Sequence, residues 1–226
     1  MTVVAVDGSA GSGKSSVSRG VAARLGMRYL DTGAMYRAAT LWLLEHGIDP
    51  ADPAAVAAHA HAIEIESGTD PSAPTIALAG RDVAAEIRSP GVTAAVSSAS
   101  AVPQLRERMV VLQRQAVAAA QLAGPGIIVE GRDIGTVVLP DADLKVFLVA
   151  DQQVRAQRRA AEDAERGHGG DVADTAATLA ERDSADASRA TSPLVQAADA
   201  VVVDGTYDDL AAVIDKVVDL VVAAAG

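Results

Sequence analysis

Eight consecutive residues near the start of the chain, Gly8-Ser9-Ala10-Gly11-Ser12-Gly13-Lys14-Ser15, combine the types that hold a triphosphate. Glycines let successive backbone N–H groups curl around phosphate oxygens without Cβ clashes. A helix that begins here aims the positive end of its dipole at the anion. Lys14 then sets a compact charge between the β- and γ-phosphates. The Ser15 hydroxyl is placed to ligate Mg²⁺, and Ser16 follows in the same cradle. A Gly/Ser-rich turn with a solvated lysine is the plain alternative. The setting argues against it, because a β-branched apolar run leads in and a helical pattern leads out. The motif implies a nucleoside triphosphate and magnesium without specifying a reaction.

A chain that only hydrolysed the triphosphate would need few further cations. Here arginines recur where strands end. Asp31-Thr32-Gly33-Ala34-Met35-Tyr36-Arg37 follows a second strand, and Glu130-Gly131-Arg132-Asp133 follows a third. Ligands bind outside the carboxyl ends of strands in an open parallel sheet, so Arg37 and Arg132 are expected to face the same crevice as the cradle. A guanidinium holds a phosphate through parallel hydrogen bonds. Either arginine alone reads better as a surface charge paired with a neighbouring acid; two at strand ends, each beside a glycine, favour a second anion site. Arg155, Arg158 and Arg159 sit three and four residues apart, a spacing that can bring all of them to one helix face. Gly167, Gly169 and Gly170 would let that helix swing as a flap, although Glu162, Asp163 and Glu165 suit an ordinary solvated face as well.

The elements that must position these groups follow from pattern. Thr2 to Val6 reads as a buried parallel strand, with Val17, Val21 and Leu25 on one face of the next helix and Gly26 ending it. Met27 to Leu30 reads as a strand and Gly33 to Leu44 as a helix. Asp52-Pro53 is a cap with proline at the first helical position, and Ser89-Pro90 repeats that signal. Ile63 to Glu66 and Thr75 to Leu78 alternate apolar with polar, as a small antiparallel hairpin does. A long helix is expected from Pro103 to about Leu122. Strands are expected at 126–129, 143–149 and 201–203, polar helices from Asp151 to about Arg166 and on to Arg189, and a final helix from about Asp208. The order implies α/β layers around a parallel sheet, with residues near 60–100 inserted beside it.

Composition narrows the partners. A net charge of −11 repels nucleic-acid backbones and anionic membranes, so a small phosphate ligand is favoured over a polymer. Aromatic residues are confined to Tyr29, Tyr36, Trp42, Phe147 and Tyr207, too few for a platform that stacks unpaired bases. Cysteine is absent, which removes disulfides and thiolate metal sites. The run from Val3 to Val6 is too short for a signal peptide and lacks a basic leader, and no stretch approaches a membrane span. The expected location is the cytoplasm and the expected state a monomer.

Together with Glu181-Arg182-Asp183-Ser184-Ala185-Asp186-Ala187-Ser188-Arg189, these blocks make the chain resemble the bacterial cytidylate kinases over nearly its whole length. Gly131-Arg132-Asp133-Ile134-Gly135-Thr136-Val137-Val138 and the block from Asp31 to Arg37 carry most of that likeness, and the inserted hairpin region is shared too. The resemblance implies a P-loop NTPase fold: a parallel sheet of five strands flanked by helices, a small antiparallel β/helical acceptor region and a helical lid. It implies one domain over residues 1–226, with a core at 1–31, 103–155 and 190–226, an acceptor region with its insertion at 32–102, and a lid at 156–189. It further implies that Arg37, Arg132 and Arg189 hold an acceptor phosphate, that Ser97, Arg106 and Asp133 read a cytosine ring, and that Arg182 and Asp186 meet the ribose. Thr32 and Tyr36 would lie against the acceptor nucleotide. Arg158, with Arg155 or Arg159, would be the lid arginine at the transferring phosphate, and Lys14, Arg132, Asp133 and Arg158 would form the catalytic set.

The expected activity is Mg²⁺-assisted transfer of the γ-phosphate of ATP to CMP, and to dCMP. A phosphate oxygen is anionic at neutral pH, so no strong general base is required. A kinase for UMP, dTMP or a hydroxyl acceptor is the alternative within enzymes. A GTP-dependent switch would carry an Asn-Lys-x-Asp guanine-reading motif, and the chain contains no asparagine.

Overall fold

The computed structural model describes residues 1–165, 171–189 and 191–225, so the expected glycine break at Gly167, Gly169 and Gly170 lies outside the described residues. Strand β1 (Thr2–Gly8) is buried from Val3 onward. Its side chains alternate between two cores: Val3 and Ala5 join one, Val4 and Val6 the other. A strand apolar on both faces must be covered on both, and this one lies at the centre of a parallel sheet. The sheet adds β2 (Arg28–Asp31), β6 (Gly126–Gly131), β7 (Leu144–Val149) and β8 (Val201–Asp204), in the order β2-β6-β1-β7-β8. All pairs are parallel, with Asp7 opposite Gly131 and Phe147. The residues following β1, β2 and β6 therefore leave the sheet along one rim, as the strand-end argument requires.

Helices α1 (Lys14–Leu25) and α8 (Leu210–Ala225) cover one face, where Val17, Val21, Val213 and Val217 pack on Val4, Val6 and Ile128. Helix α2 (Thr32–Glu45), α4 (Pro90–Ser100) and α5 (Pro103–Gln121) cover the other. Burying each large aliphatic side chain contributes about 1.5–3 kcal/mol, and the aromatic-poor core relies on many such residues. Helix α3 (Pro53–His59) begins as its sequence predicts: Asp52 accepts from Ala54 N and Ala55 N, with Pro53 in the first turn. Helices α6 (Gln152–Glu165) and α7 (Val172–Ser188) pack together, and Ala156 and Leu179 close on Ala10 of the phosphate loop. None of the described helices is long and apolar enough to cross a membrane.

The inserted region departs from a two-stranded hairpin. It forms β3 (Ile65–Ser67), β4 (Ile76–Leu78) and β5 (Arg81–Asp82), in that order. The third strand exists because Ala79 and Gly80, at φ 47° and 79°, reverse the chain in two residues and pair Leu78 with Arg81. Alanine rarely adopts that conformation, so the turn carries no composition signal.

Candidate active site

Where β1 ends, residues 9–13 curl into a loop and α1 begins at Lys14. Gly13 stands at φ 87°, a conformation that favours glycine, and it opens the helix without a side-chain cap. The first turn of α1 thus keeps its N–H groups free for an anion. The Lys14 ammonium donates to Ser9 O at 3.1 Å, and among the described residues no carboxylate lies within ion-pair distance of it. Burial, then the neighbouring Arg132, pulls its pKa down to about 7 against the opposing pull of Glu130 and Asp31. A lysine so placed is short of negative charge, which a triphosphate supplies.

Beside it, Ser15 donates its hydroxyl to Glu130 Oε2 at 3.0 Å, and Tyr29 donates its phenol to Glu130 Oε1 at 2.5 Å. Glu130 is only 2 % exposed and has no lysine or arginine within ion-pair distance among the described residues. Burial and then Asp31 push its pKa up to about 7. A buried acid beside a hydroxyl, lacking a cation, is a donor set of hard oxygens that fits Mg²⁺.

The second half of the cleft is built from side chains. Asp31 caps α2, accepting from Ala34 N at 2.9 Å, and this places Arg37 one and a half turns into the helix. Arg37 Nη1 donates to Ile87 O at 3.1 Å and to Thr93 Oγ1 at 2.9 Å, with no acidic partner among the described residues. Burial, followed by Arg182, Arg159 and Arg88, lowers its pKa to about 9. Arg182 is lowered to about 10, by burial and then by Arg132 and Arg159. Arg132 donates through Nε to Asp186 Oδ2 at 2.7 Å and through Nη1 to Gly8 O at 2.9 Å. Arg189 pairs with the other oxygen of Asp186, so one carboxylate orients two guanidinium groups. Deeper in, Arg106 and Asp133 form a pair at 2.5 Å, each under 6 % exposed. Arg106 also donates to Ser100 O at 3.0 Å, lies 5.3 Å above the Tyr36 ring, and leaves its Nε without a partner.

Most of these groups line one cavity of about 310 Å³. The cavity brings together Ala10, Gly11, Gly13, Lys14, Ser15 and Ser16 with Thr32, Tyr36, Arg37, Ser97, Arg106, Arg132, Asp133, Arg182, Asp186 and Arg189. Gly8, Ser9 and Ser12 stay behind the loop and shape it: Gly8 O receives Arg132, and Ser9 O receives Lys14 and Ser12 N.

Arg158 is not brought to the cleft. Its Nη2 donates to Gly205 O at 2.7 Å and Asp208 O at 3.4 Å, tying α6 to the segment between β8 and α8. Arg155 is also drawn elsewhere, to Ala10 O at 2.9 Å and Asp183 Oδ2 at 2.5 Å. Only Arg159 of the three lines the cavity, beside its partner Asp163. The expected common face does not act as one site: Arg155 and Arg158 are claimed by backbone carbonyls of the phosphate loop and of the segment between β8 and α8, while Arg159 pairs with Asp163 at the cleft. Sequence reading missed Arg88 and Thr93, which line the cavity from the turn before α4 and from α4 itself. Neither belongs to a spaced motif, so no local signal marks them.

Chemically, the cleft offers two adjoining berths for anions. One is made of backbone N–H groups and Lys14, the other of arginines beside a buried guanidinium–carboxylate pair.

The sequence profile of the cytidylate kinases matches residues 4–223. A cytidylate kinase of Streptomyces avermitilis is 56 % identical over 219 residues, covering 97 % of this chain and 92 % of that protein. One of Nocardia farcinica is 52 % identical, covering 95 % and 90 %, and one of Mycobacterium avium 50 % identical, covering 97 % and 94 %. Among solved structures, TT1252 from Thermus thermophilus superposes with a TM-score of 0.51 at 16 % identity, covering 98 % of this chain and 96 % of that one, a likeness of fold. With the cleft's two berths in place and the match running almost from end to end, the chain belongs to the cytidylate kinase family.

Proposed function

We propose that this protein transfers the γ-phosphate of ATP to CMP, and to dCMP, giving ADP and the corresponding diphosphate. The observation that carries this reading is the set of Lys14, Arg37 and Arg182, three cations of one cleft with no acidic partner within ion-pair distance among the described residues. An acceptor phosphate oxygen forms the new P–O bond as the bond from the γ-phosphorus to the β,γ-bridging oxygen breaks, and ADP leaves with that oxygen. The nucleophile is already ionised, so the protein's work is alignment and charge neutralisation.

The N–H groups of the loop and Lys14 hold the donor phosphates. Arg37, Arg132 and Arg189 hold the acceptor phosphate in line with them. Arg182 and Asp186 meet the ribose, while Thr32 and Tyr36 lie against the acceptor nucleotide. Arg159, which lines the cleft, takes the lid position at the transferring group in place of Arg158. Ser15 and Glu130 would hold Mg²⁺, whose charge offsets that of the phosphates. Asp133 uses Oδ2 on Arg106 and has Oδ1 left to accept the exocyclic amine of cytosine. Arg106 and Ser97 face the ring acceptors. Uracil would turn a carbonyl toward Asp133 and leave its Oδ1 facing another acceptor with no donor, a basis for strong discrimination. In this reading residues 1–31, 103–155 and 190–226 form the donor core, 32–102 the acceptor region and 156–189 the lid of a cytoplasmic monomer.

A coupled assay with ATP and Mg²⁺ across CMP, dCMP, UMP, dTMP and AMP tests this. The highest kcat/KM should fall on the cytidine monophosphates; a higher value on any other acceptor overturns the assignment.

A further inference from the structure

Asp7 is a buried acid with no role in the chemistry above. It is the penultimate residue of β1, just before the phosphate loop, is 4 % exposed, and has no lysine or arginine within ion-pair distance among the described residues. Burying a carboxylate without a cation is costly, and packing alone would be better served by an apolar residue. What Asp7 holds is backbone. Its Oδ1 accepts from Ile134 N and its Oδ2 from Gly135 N, both at 2.8 Å. Those residues directly follow Arg132 and Asp133. The next residue of β1, Gly8, accepts Arg132 Nη1 through its carbonyl at 2.9 Å. Two consecutive residues of β1 therefore clasp the 132–135 turn from both ends. Between the clasps the chain bends at Asp133, at φ −141° and ψ 28°, and Asp133 O accepts from Val137 N and Val138 N. The direction of the Asp133 side chain depends on where its own backbone is held.

We propose that Asp7 is a positioning residue for acceptor recognition: it holds the 132–135 turn against the strand that carries the phosphate loop, and so aims the Asp133 carboxylate at the acceptor base. The inference rests on the cytidine-monophosphate reading above. It adds that the donor cradle and the base reader share one joint, made by a side chain that touches neither nucleotide.

The test is Asp7→Asn, measured beside the wild type. Asparagine keeps the shape but accepts at one atom only, and its amide opposes the second N–H. Wild-type turnover with CMP comes first; its absence overturns both readings. With that turnover present, the Asn variant should raise KM for CMP at least about tenfold and lower the CMP-over-UMP ratio of kcat/KM by about tenfold, with KM for ATP changed less than about twofold. A merely structural role would lower the unfolding temperature and leave that ratio alone. If the ratio and KM for CMP stay at wild-type values, Asp7 does not position the reader, while the proposed reaction stands. Should the Asn variant fail to fold, Asp7→Ser retains an acceptor without an opposing amide, and the same two quantities decide.

Discussion

The two berths of the cleft are built on opposite plans. The proposed donor cradle is one stretch of chain, residues 8–15, which offers backbone N–H groups and a single lysine. The proposed acceptor berth draws on α2, α4, α5, α7 and the turn after β6, and presents side chains. A backbone site needs only that a loop take up its conformation. A side-chain site needs every contributing element to dock in register, and it gains selectivity in return, because Asp133 and Arg106 have no value unless they meet.

The largest test of that contrast is Lys14→Ala, expected to lower kcat by about 10³-fold in a coupled assay while KM for CMP changes little. Retained turnover would mean that the loop's backbone suffices alone. Next, Asp133→Ala should weaken CMP about 100-fold in a calorimetric titration and ATP by less than about threefold; equal losses would show that the berths are not separable. Arg37→Met should weaken CMP about tenfold and leave cytidine, which has no phosphate, unaffected. If cytidine suffers equally, Arg37 supports the fold and not the phosphate. A smaller difference separates two neighbours on α6. Arg159→Met should cut kcat about tenfold, whereas Arg158→Met should change it less than about threefold and lower the unfolding temperature by a few degrees, since its bonds are to Gly205 O and Asp208 O. The reverse order would restore Arg158 to the chemistry.

The smallest effect concerns pH. The folded pKa of Glu130, about 7, exceeds its unfolded value of 4.5, so the folded state binds the extra proton between them. Its contribution is complete below the unfolded pKa and is lost as pH climbs through about 7. Lys14 works in the opposite sense: lowered from 10.5 to about 7, it contributes stability above the unfolded pKa that is lost as pH falls through the folded one. Denaturant titrations should therefore show Glu130→Gln with a flatter decline than wild type between pH 4.5 and 7; parallel curves would mean that Glu130 is ionised in both states.

Legibility followed the same divide. The phosphate loop could be read outright, since its glycines, Lys14 and Ser15 are adjacent and each type has one physical use there. Strands expected to end at Leu30 and Val129 run on to Asp31 and Gly131, close enough that the placing of Arg37 and Arg132 beyond their ends could also be read. Arg155, Arg158 and Arg159 could not be told apart, because their fates depend on Ala10 O, Gly205 O and the cleft, which come from distant parts of the chain. Thr93 and Arg88 left no trace for the same reason. The reversal at Ala79-Gly80 was hidden because alanine tolerates a conformation it does not advertise.

Gly131 joins the two plans at their closest point. A Cβ there would lie 2.6 Å from Ile134 Cδ1 and 2.7 Å from Thr32 Oγ1, and that threonine is already bonded to Glu130 O at 2.7 Å. A larger residue would wedge the start of α2 away from the sheet and move Arg37 with it. Retraining this scaffold for another acceptor should therefore leave the 131–135 turn alone. The room to vary lies on α4, where Val96 and Ser97 look into the cavity while Thr93, bonded to Arg37, is kept.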